Sequence, residues 1–386
     1  MNRVVLFIGV ILLVMMLLPW SGYATHNEIA TEAEIATTQR GTKYLTNLKL
    51  DQLLLGLLPL DAIPPIDAPE FTPAIEADTW LTSDDFVMGV RYRGITKAYP
   101  IRILNRHEIV NDDFFGEAIV VTYCPLCNSG LAFLAPEIDG QIVRFGNSGG
   151  LYQSDLLMYD RVTRSLWSQI TGEAIVGRAV GEVGELHRIP VDIVPWGLWR
   201  DEHPDTLVLT RPKTVFTPQG LVQIPPEIYD DNSSEEAYRS QDIPVGTRLP
   251  SGVLFNDGRL RAMDDVIGVI VDGSAKAYAK AAFDEQLLLN DWISETSILA
   301  VKTPAGELKF FDRQLNQHGR TLEFELVNGR LIDIQTQSVW SFHGEALSGE
   351  LVGAQLEEIV GIPSFWFAWT AFHPETELFK GTEPES

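Results

Sequence analysis

The sequence predicts an α+β protein of mostly short antiparallel β-strands with few helices, built on an internally duplicated unit. Three observations predict it. Short apolar runs rich in β-branched residues, such as "AIVVTY" at 118–123, recur between glycine-containing turns. Stretches with helical spacing are few and brief. The third is a repeat. Gly89, Gly94, Lys97, Ala98, Tyr99, Asn111 and Asp112 match Gly268, Gly273, Lys276, Ala277, Tyr278, Asn290 and Asp291 at a constant offset of 179. Asp160, Thr163, Ser165 and Trp167 match Asp333, Thr336, Ser338 and Trp340 at an offset of 173, and "WGLWRDEHPDT" at 196–206 matches "WFAWTAFHPET" at 366–376. Three blocks in one order argue for duplication. Features in both copies read as scaffold, and features in one copy as candidates for function.

The elements follow in order. Residues 1–24 run from Met-Asn-Arg through the uncharged stretch Val4 to Leu18 to small residues ending at Ala24. That is the pattern of a signal peptide, with an apolar core shorter than the roughly 20 residues of a spanning helix. The chain is expected to be exported, to a periplasm or the cell exterior, with no membrane span after cleavage; the alternative is an uncleaved N-terminal anchor, if Pro19-Trp20 extends the apolar core. Residues 25–75 form a lead-in, with room for one helix before a proline-rich stretch.

The first copy covers 76–210. A hairpin turns at Arg93-Gly94, a helix follows in "IRILNRHEIVND", and "AIVVTY" is a buried strand. A second hairpin turns at Asp139-Gly140. Residues 145–161 read as a glycine-containing loop, "SLWSQI" and "EAIVGRAV" as strands, "PWGLWRDEHPDT" as a short helix or turn ended by His203-Pro204, and "LVLT" as a strand. A proline- and serine-rich connector spans 211–262. The second copy covers 263–380.

A net charge of −24 repels nucleic acid and anionic lipid, so neither is an expected partner. With 45% hydrophobic residues the chain is a folded globular protein and not a disordered one.

The two cysteines, Cys124 and Cys127, lie in "VVTYCPLCNSGLAF". The second copy keeps the strand but carries Thr303-Pro304-Ala305-Gly306 in its place, so the scaffold does not need the thiols. Three readings stand. A structural disulfide suits an exported protein, although so short a loop removes little chain entropy. A redox-active dithiol exchanges through mixed disulfides. A metal site uses two thiolates and further ligands from elsewhere, for zinc or a soft transition metal such as copper. Covalent haem attachment is excluded, because Asn128 stands where a histidine is required.

His107 is private to this copy, its counterpart being Gln286, and is the candidate to activate a thiolate or complete a metal site. His203 and His373 occur in both copies and read as scaffold. The segment 145–161 is also private, because the offset falls from 179 to 173 across it. It places Tyr152, Ser154, Asp155 and Tyr159 beside Ser148-Gly149-Gly150, and Asp155 is the candidate carboxylate. A glycine-rich loop of this kind can bind an anion through its amides, but no phosphate-loop lysine accompanies it.

The motifs "AYPIRILNRHEIVND", "VTYCPLCNSGLAF", "QSDLLMYDRVTRSLWSQITGEAIVG" and "WGLWRDEHPDT" together resemble the family known as domain of unknown function 3179. The resemblance covers roughly residues 80–375. It implies a prokaryotic, often exported protein, and it places Cys124, Cys127, His107, Asp155, Asp160 and Trp167 within family motifs without assigning any of them a role. Residues 211–240 depart from the family's usual continuation.

No Gly-x-Ser-x-Gly, His-Glu-x-x-His or dinucleotide fingerprint is present, so hydrolase and nicotinamide chemistry lack support. The sequence points to a Cys124/Cys127 site for thiol–disulfide exchange or soft-metal binding, with His107 and Asp155 as neighbours. The alternative is a non-catalytic binding or structural protein with a local disulfide staple. Enzymatic activity stays open.

Overall fold

The computed structural model describes residues 43–381, apart from 46–47, 218–219, 231–237, 250–252 and 316–318. The expected signal peptide and residues 25–42 of the lead-in lie outside the described residues. The described chain is mostly antiparallel strand, with four α-helices: Ala74–Ala77, Ile101–His107, Trp196–Glu202 and Trp366–Phe372.

Arg93 (φ 49°) and Gly94 (φ 79°) take left-handed conformations, whose twist suits a two-residue hairpin. They join the strands Phe86–Tyr92 and Ile95–Pro100. Val191–Pro195 flanks this pair on one side, and Leu207–Leu209 and Phe71–Pro73 extend it on the other. A second sheet runs Arg188–Ile189, Ser129–Leu134, Glu117–Cys124, Ile109–Phe114. A third runs Leu53–Leu54, Phe145–Tyr152, Asp155–Asp160, Leu166–Ser168, Ala174–Val176.

Residues 265–379 form three four-stranded sheets, besides the two-stranded pair Gln314–Leu315 and Arg320–Thr321. The first is Ile362–Phe365, Asp265–Val271, Ser274–Ala279, Glu377–Phe379. The second is Glu357–Ile359, Leu308–Asp312, Thr296–Lys302, Leu288–Ile293, and the third Phe324–Val327, Arg330–Asp333, Val339–Trp340, Ala346–Ser348.

Two local expectations are corrected. The helix after Pro100 stops at His107, because Glu108 turns left-handed (φ 57°) and closes it through a bond from its N–H to Leu104 O. Residues 109–114 then form a strand. The expected loop at 145–161 is instead two antiparallel strands with a bulge between Asn147 and Gly150. Their 8 and 6 residues replace strands of 4 and 4 in the second half, which is where the extra length goes. The described part of the lead-in contains a 3₁₀ turn at Leu50–Gln52 and short strands at Leu53–Leu54 and Phe71–Pro73, and much of the segment in which a helix was expected lies outside the described residues.

Repeated residues prove to be packing devices. A Cβ on Gly89 would lie 2.2 Å from the Trp199 ring, and one on Gly268 would lie 2.0 Å from Trp369. Both tryptophans are fully buried. Gly89→Ala and Gly268→Ala are each expected to destabilise by about 3 kcal/mol, the upper part of the overpacking range. Chemical denaturation of the single variants checks this.

The halves share a core. Cys127, Val266, Trp366 and Trp369 belong to one buried cluster. Phe365 N–H donates to Cys127 O at 2.7 Å, and Lys309 pairs with Asp192 at 2.5 Å, both buried.

Candidate metal centre

The strand Glu117–Cys124 ends at Cys124, and Pro125-Leu126-Cys127-Asn128 turns the chain into Ser129–Leu134. Asn128 takes φ 49°, which asparagine tolerates better than most residues. The turn is held from several sides. Tyr123 donates its hydroxyl to Asn128 Oδ1 (2.8 Å), Asn128 Nδ2 donates to Asp265 (2.7 Å) and Tyr238 donates to Leu126 O (2.9 Å). This fixes both sulfurs without using them. Cys124 and Cys127 are free thiols 3.9 Å apart, and both are buried.

The private strand pair brings the third group. Gln153 (φ 51°) and Ser154 (φ 74°) make a tight hairpin turn with two non-glycine residues in left-handed conformation, a local strain held by surrounding contacts. The turn presents Ser154 O to Cys127, which donates its S–H at 3.2 Å, and starts the strand with Asp155. A carboxylate oxygen of Asp155 and the two sulfurs all lie within 4.8 Å of one another. Asp155 accepts from Ser129 Oγ (2.9 Å) and from Ile170 N–H (3.1 Å). Gln169 bridges Ser129 and Thr122 behind it.

Glu108, one residue beyond His107, is the group the sequence reading missed. It is buried, accepts from Asn147 Nδ2 at 2.5 Å, and is close enough for its charge to act on Cys124 and to feel Asp155. A signal for it existed, since its counterpart in the second copy is Leu287.

Burial dominates the electrostatics. It pushes Asp155 up to about 7 and Glu108 up to about 8, and it raises Cys124 and, further, Cys127. Among the described residues no lysine or arginine forms an ion pair with Asp155 or Glu108. Four acidic groups thus share a buried space without a cation. Burial favours their protonated forms; a bound cation would favour ionisation.

His107 does not join this cluster. Pro64 O can only accept, so Nδ1 carries the proton and donates to it at 2.8 Å; Nε2 then accepts from the Tyr229 hydroxyl at 2.8 Å. Both nitrogens are used away from the sulfurs, and burial lowers the ring's pKa to about 4. The left-handed residue at 108 explains the separation: consecutive side chains leave the helix end for different cores. His107→Ala is expected to cost about 3 kcal/mol through the cavity and the lost bonds, while the metal content of the purified protein stays unchanged.

Among the described residues no helix is long and apolar enough to cross a membrane. No curated protein and no solved structure matches the chain. A family model does match, over residues 60–376, and it spans the cysteine turn, the private strand pair and both clusters of repeated motifs. The chain belongs to the family described as Protein of unknown function (DUF3179).

Proposed function

We propose that this is an exported protein of two copies of one unit, whose first copy (76–210) binds a transition metal through Cys124, Cys127 and Asp155, with Glu108 as a second carboxylate beside them. The observation that carries it is a buried two-thiol, one-carboxylate set within 4.8 Å with no compensating cation among the described residues. Two thiolates on a tetrahedral zinc, with bonds of about 2.3 Å, lie about 3.8 Å apart, and the observed 3.9 Å fits. The carboxylates favour zinc over copper(I), because an all-soft ion gains little from oxygen donors. Asp155 is itself held by Ser129 and Ile170, as outer partners commonly hold a metal-binding carboxylate.

The matching strand orders of 86–209 and 265–379 support duplication, and the charge-poor N-terminal stretch supports export. Exchange with a protein disulfide is less well served. It needs an accessible thiolate, and both sulfurs are buried with raised pKa values. A staple is less well served too, since the two cysteines are free thiols.

Elemental analysis tests the reading. Protein purified without chelators is expected to hold about one equivalent of zinc more than the folded Cys124→Ser/Cys127→Ser variant. Equal metal in the two proteins would overturn it.

A further inference from the structure

A second donor cluster lies where the two halves meet, at the turn equivalent to the cysteine turn. Thr303 to Glu307 close that turn through Thr303 N–H to Glu307 O (2.8 Å) and Glu307 N–H to Thr303 Oγ1 (3.2 Å). At the offset of 179, Glu307 stands in the place of Asn128. The helix Trp196–Glu202 of the first half ends against it. Its last residue, Glu202, and its cap, His203, bring their ligand atoms and one oxygen of Glu307 within 4.8 Å of one another.

The carboxylate of Glu307 is fully buried, and neither oxygen has a hydrogen-bond partner. His203 Nε2 is buried and equally without one, facing Glu307 at 3.8 Å. Leaving such groups unsatisfied is unfavourable, so a missing partner is the simplest account.

Charge counting gives the sign of that partner. The connected network contains four carboxylates, Asp192, Glu202, Glu307 and Glu358, and two cations, Arg91 and Lys309, and the buried Lys280 ammonium beside it also acts on Asp192. His343 is neutral in this arrangement. The Arg91 guanidinium can only donate, so His343 Nδ1 accepts from it at 3.1 Å, and Nε2 keeps the proton it donates to Glu202 at 2.8 Å. With His203 neutral and Lys280 included, one negative charge is left uncompensated. A proton on His203 would balance that charge but would leave the second oxygen of Glu307 without a hydrogen-bond partner.

The repeat supplies a control. His373 packs against Trp369 with ring centroids 4.1 Å apart, as His203 packs against Trp199 at 4.1 Å, so the histidine packed on tryptophan belongs to the scaffold. Around His373 the counterparts of Glu202 and Glu307 are Phe372 and Asn128. Only His203 is given carboxylates.

We propose that His203, Glu307 and Glu202 bind a divalent cation at the junction of the halves, with His343 and Arg91 orienting Glu202 from behind. One nitrogen and two carboxylates select a harder ion than the cysteine site does, such as manganese(II), with open positions for water or an anionic substrate. The site is independent of the cysteine metal, and either can exist without the other.

The test uses the full mature chain carrying Cys124→Ser/Cys127→Ser, stripped with chelator and titrated with Mn²⁺ in millimolar Mg²⁺, which occupies scattered surface acids. Free Mn²⁺ is read by electron paramagnetic resonance. The expected result is one bound equivalent, weakened at least tenfold by Glu307→Gln, which keeps shape and removes the charge. Mn²⁺ should also raise the thermal midpoint of the parent and not that of the Glu307→Gln variant. Absence of Mn²⁺ binding in the folded parent would overturn the proposal, as would equal binding by the Glu307→Gln variant.

Discussion

Asp160→Ala is expected to destabilise the protein by about 4 kcal/mol or more, a large share of the stability of a natural domain. Asp160 is fully buried, and its carboxylate gathers the turn that follows the strand Asp155–Asp160. It accepts from Val162 N–H (3.0 Å), Thr163 N–H, Ser165 N–H (3.1 Å) and Trp167 Nε1 (3.0 Å). Alanine removes the shared acceptor of these donors and leaves the buried Trp167 Nε1 without one. The equivalent Asp333 accepts from Thr336 N–H (2.6 Å), Ser338 N–H (3.1 Å) and Trp340 Nε1 (3.0 Å), so Asp333→Ala is expected to lose a similar amount. Urea denaturation of both variants checks the pair. A loss below about 1 kcal/mol at either site would show that the cage is not a folding element.

Metal removal is the second large effect. An ion that binds only the folded chain stabilises it by about 4 kcal/mol when its free concentration is a thousandfold above Kd. Chelation is therefore expected to lower the thermal midpoint of the wild-type chain and to leave that of Cys124→Ser/Cys127→Ser in place, apart from any contribution of the junction site. Adding Glu307→Gln to the serine variant removes that remainder. Without metal, burial favours the protonated forms of Asp155 and Glu108 in the folded state. Their folded pKa values are about 7 and about 8, above those of an unfolded carboxyl. The metal-free protein thus loses stability as pH rises from the unfolded carboxyl range near 4 towards about 7 for Asp155 and about 8 for Glu108, at up to about 1.4 kcal/mol per unit for each group, and the loss levels off above those values.

Much of the fold was legible because its signals are local. Arg93-Gly94 and Asp139-Gly140 turn where turn chemistry says they should, and the helix of "WGLWRDE" ends at His203 before proline. The private strands at 145–160 were not legible, because Gly149 and Gly150 look like a loop. The structure shows why they are glycines: a Cβ on Gly149 would meet Leu58 O at 2.1 Å, and one on Gly150 would meet Leu54 O at 2.5 Å. Those contacts come from the lead-in, far away in sequence.

The site divides the same way. The cysteines and Asp155 stood out as private features, and the structure brings them together. His107 stood out as well, yet a left-handed residue after it sends its ring elsewhere, and no spacing rule anticipates that. Glu108 was hidden behind the more reactive residue type beside it, although Leu287 opposite it marks it as private. Glu307 and His343 are private to the second copy, opposite Asn128 and Ile170. A comparison that looks only for what the first copy adds passes over both.

The most direct test of the central claim is thiol titration of the wild-type chain, purified without chelators, with released zinc followed by a colorimetric dye. The account predicts that Cys124 and Cys127 react only after a chelator is added, and that one zinc is released as two thiols appear. Two thiols that appear only after a reductant, with no zinc released, would contradict it.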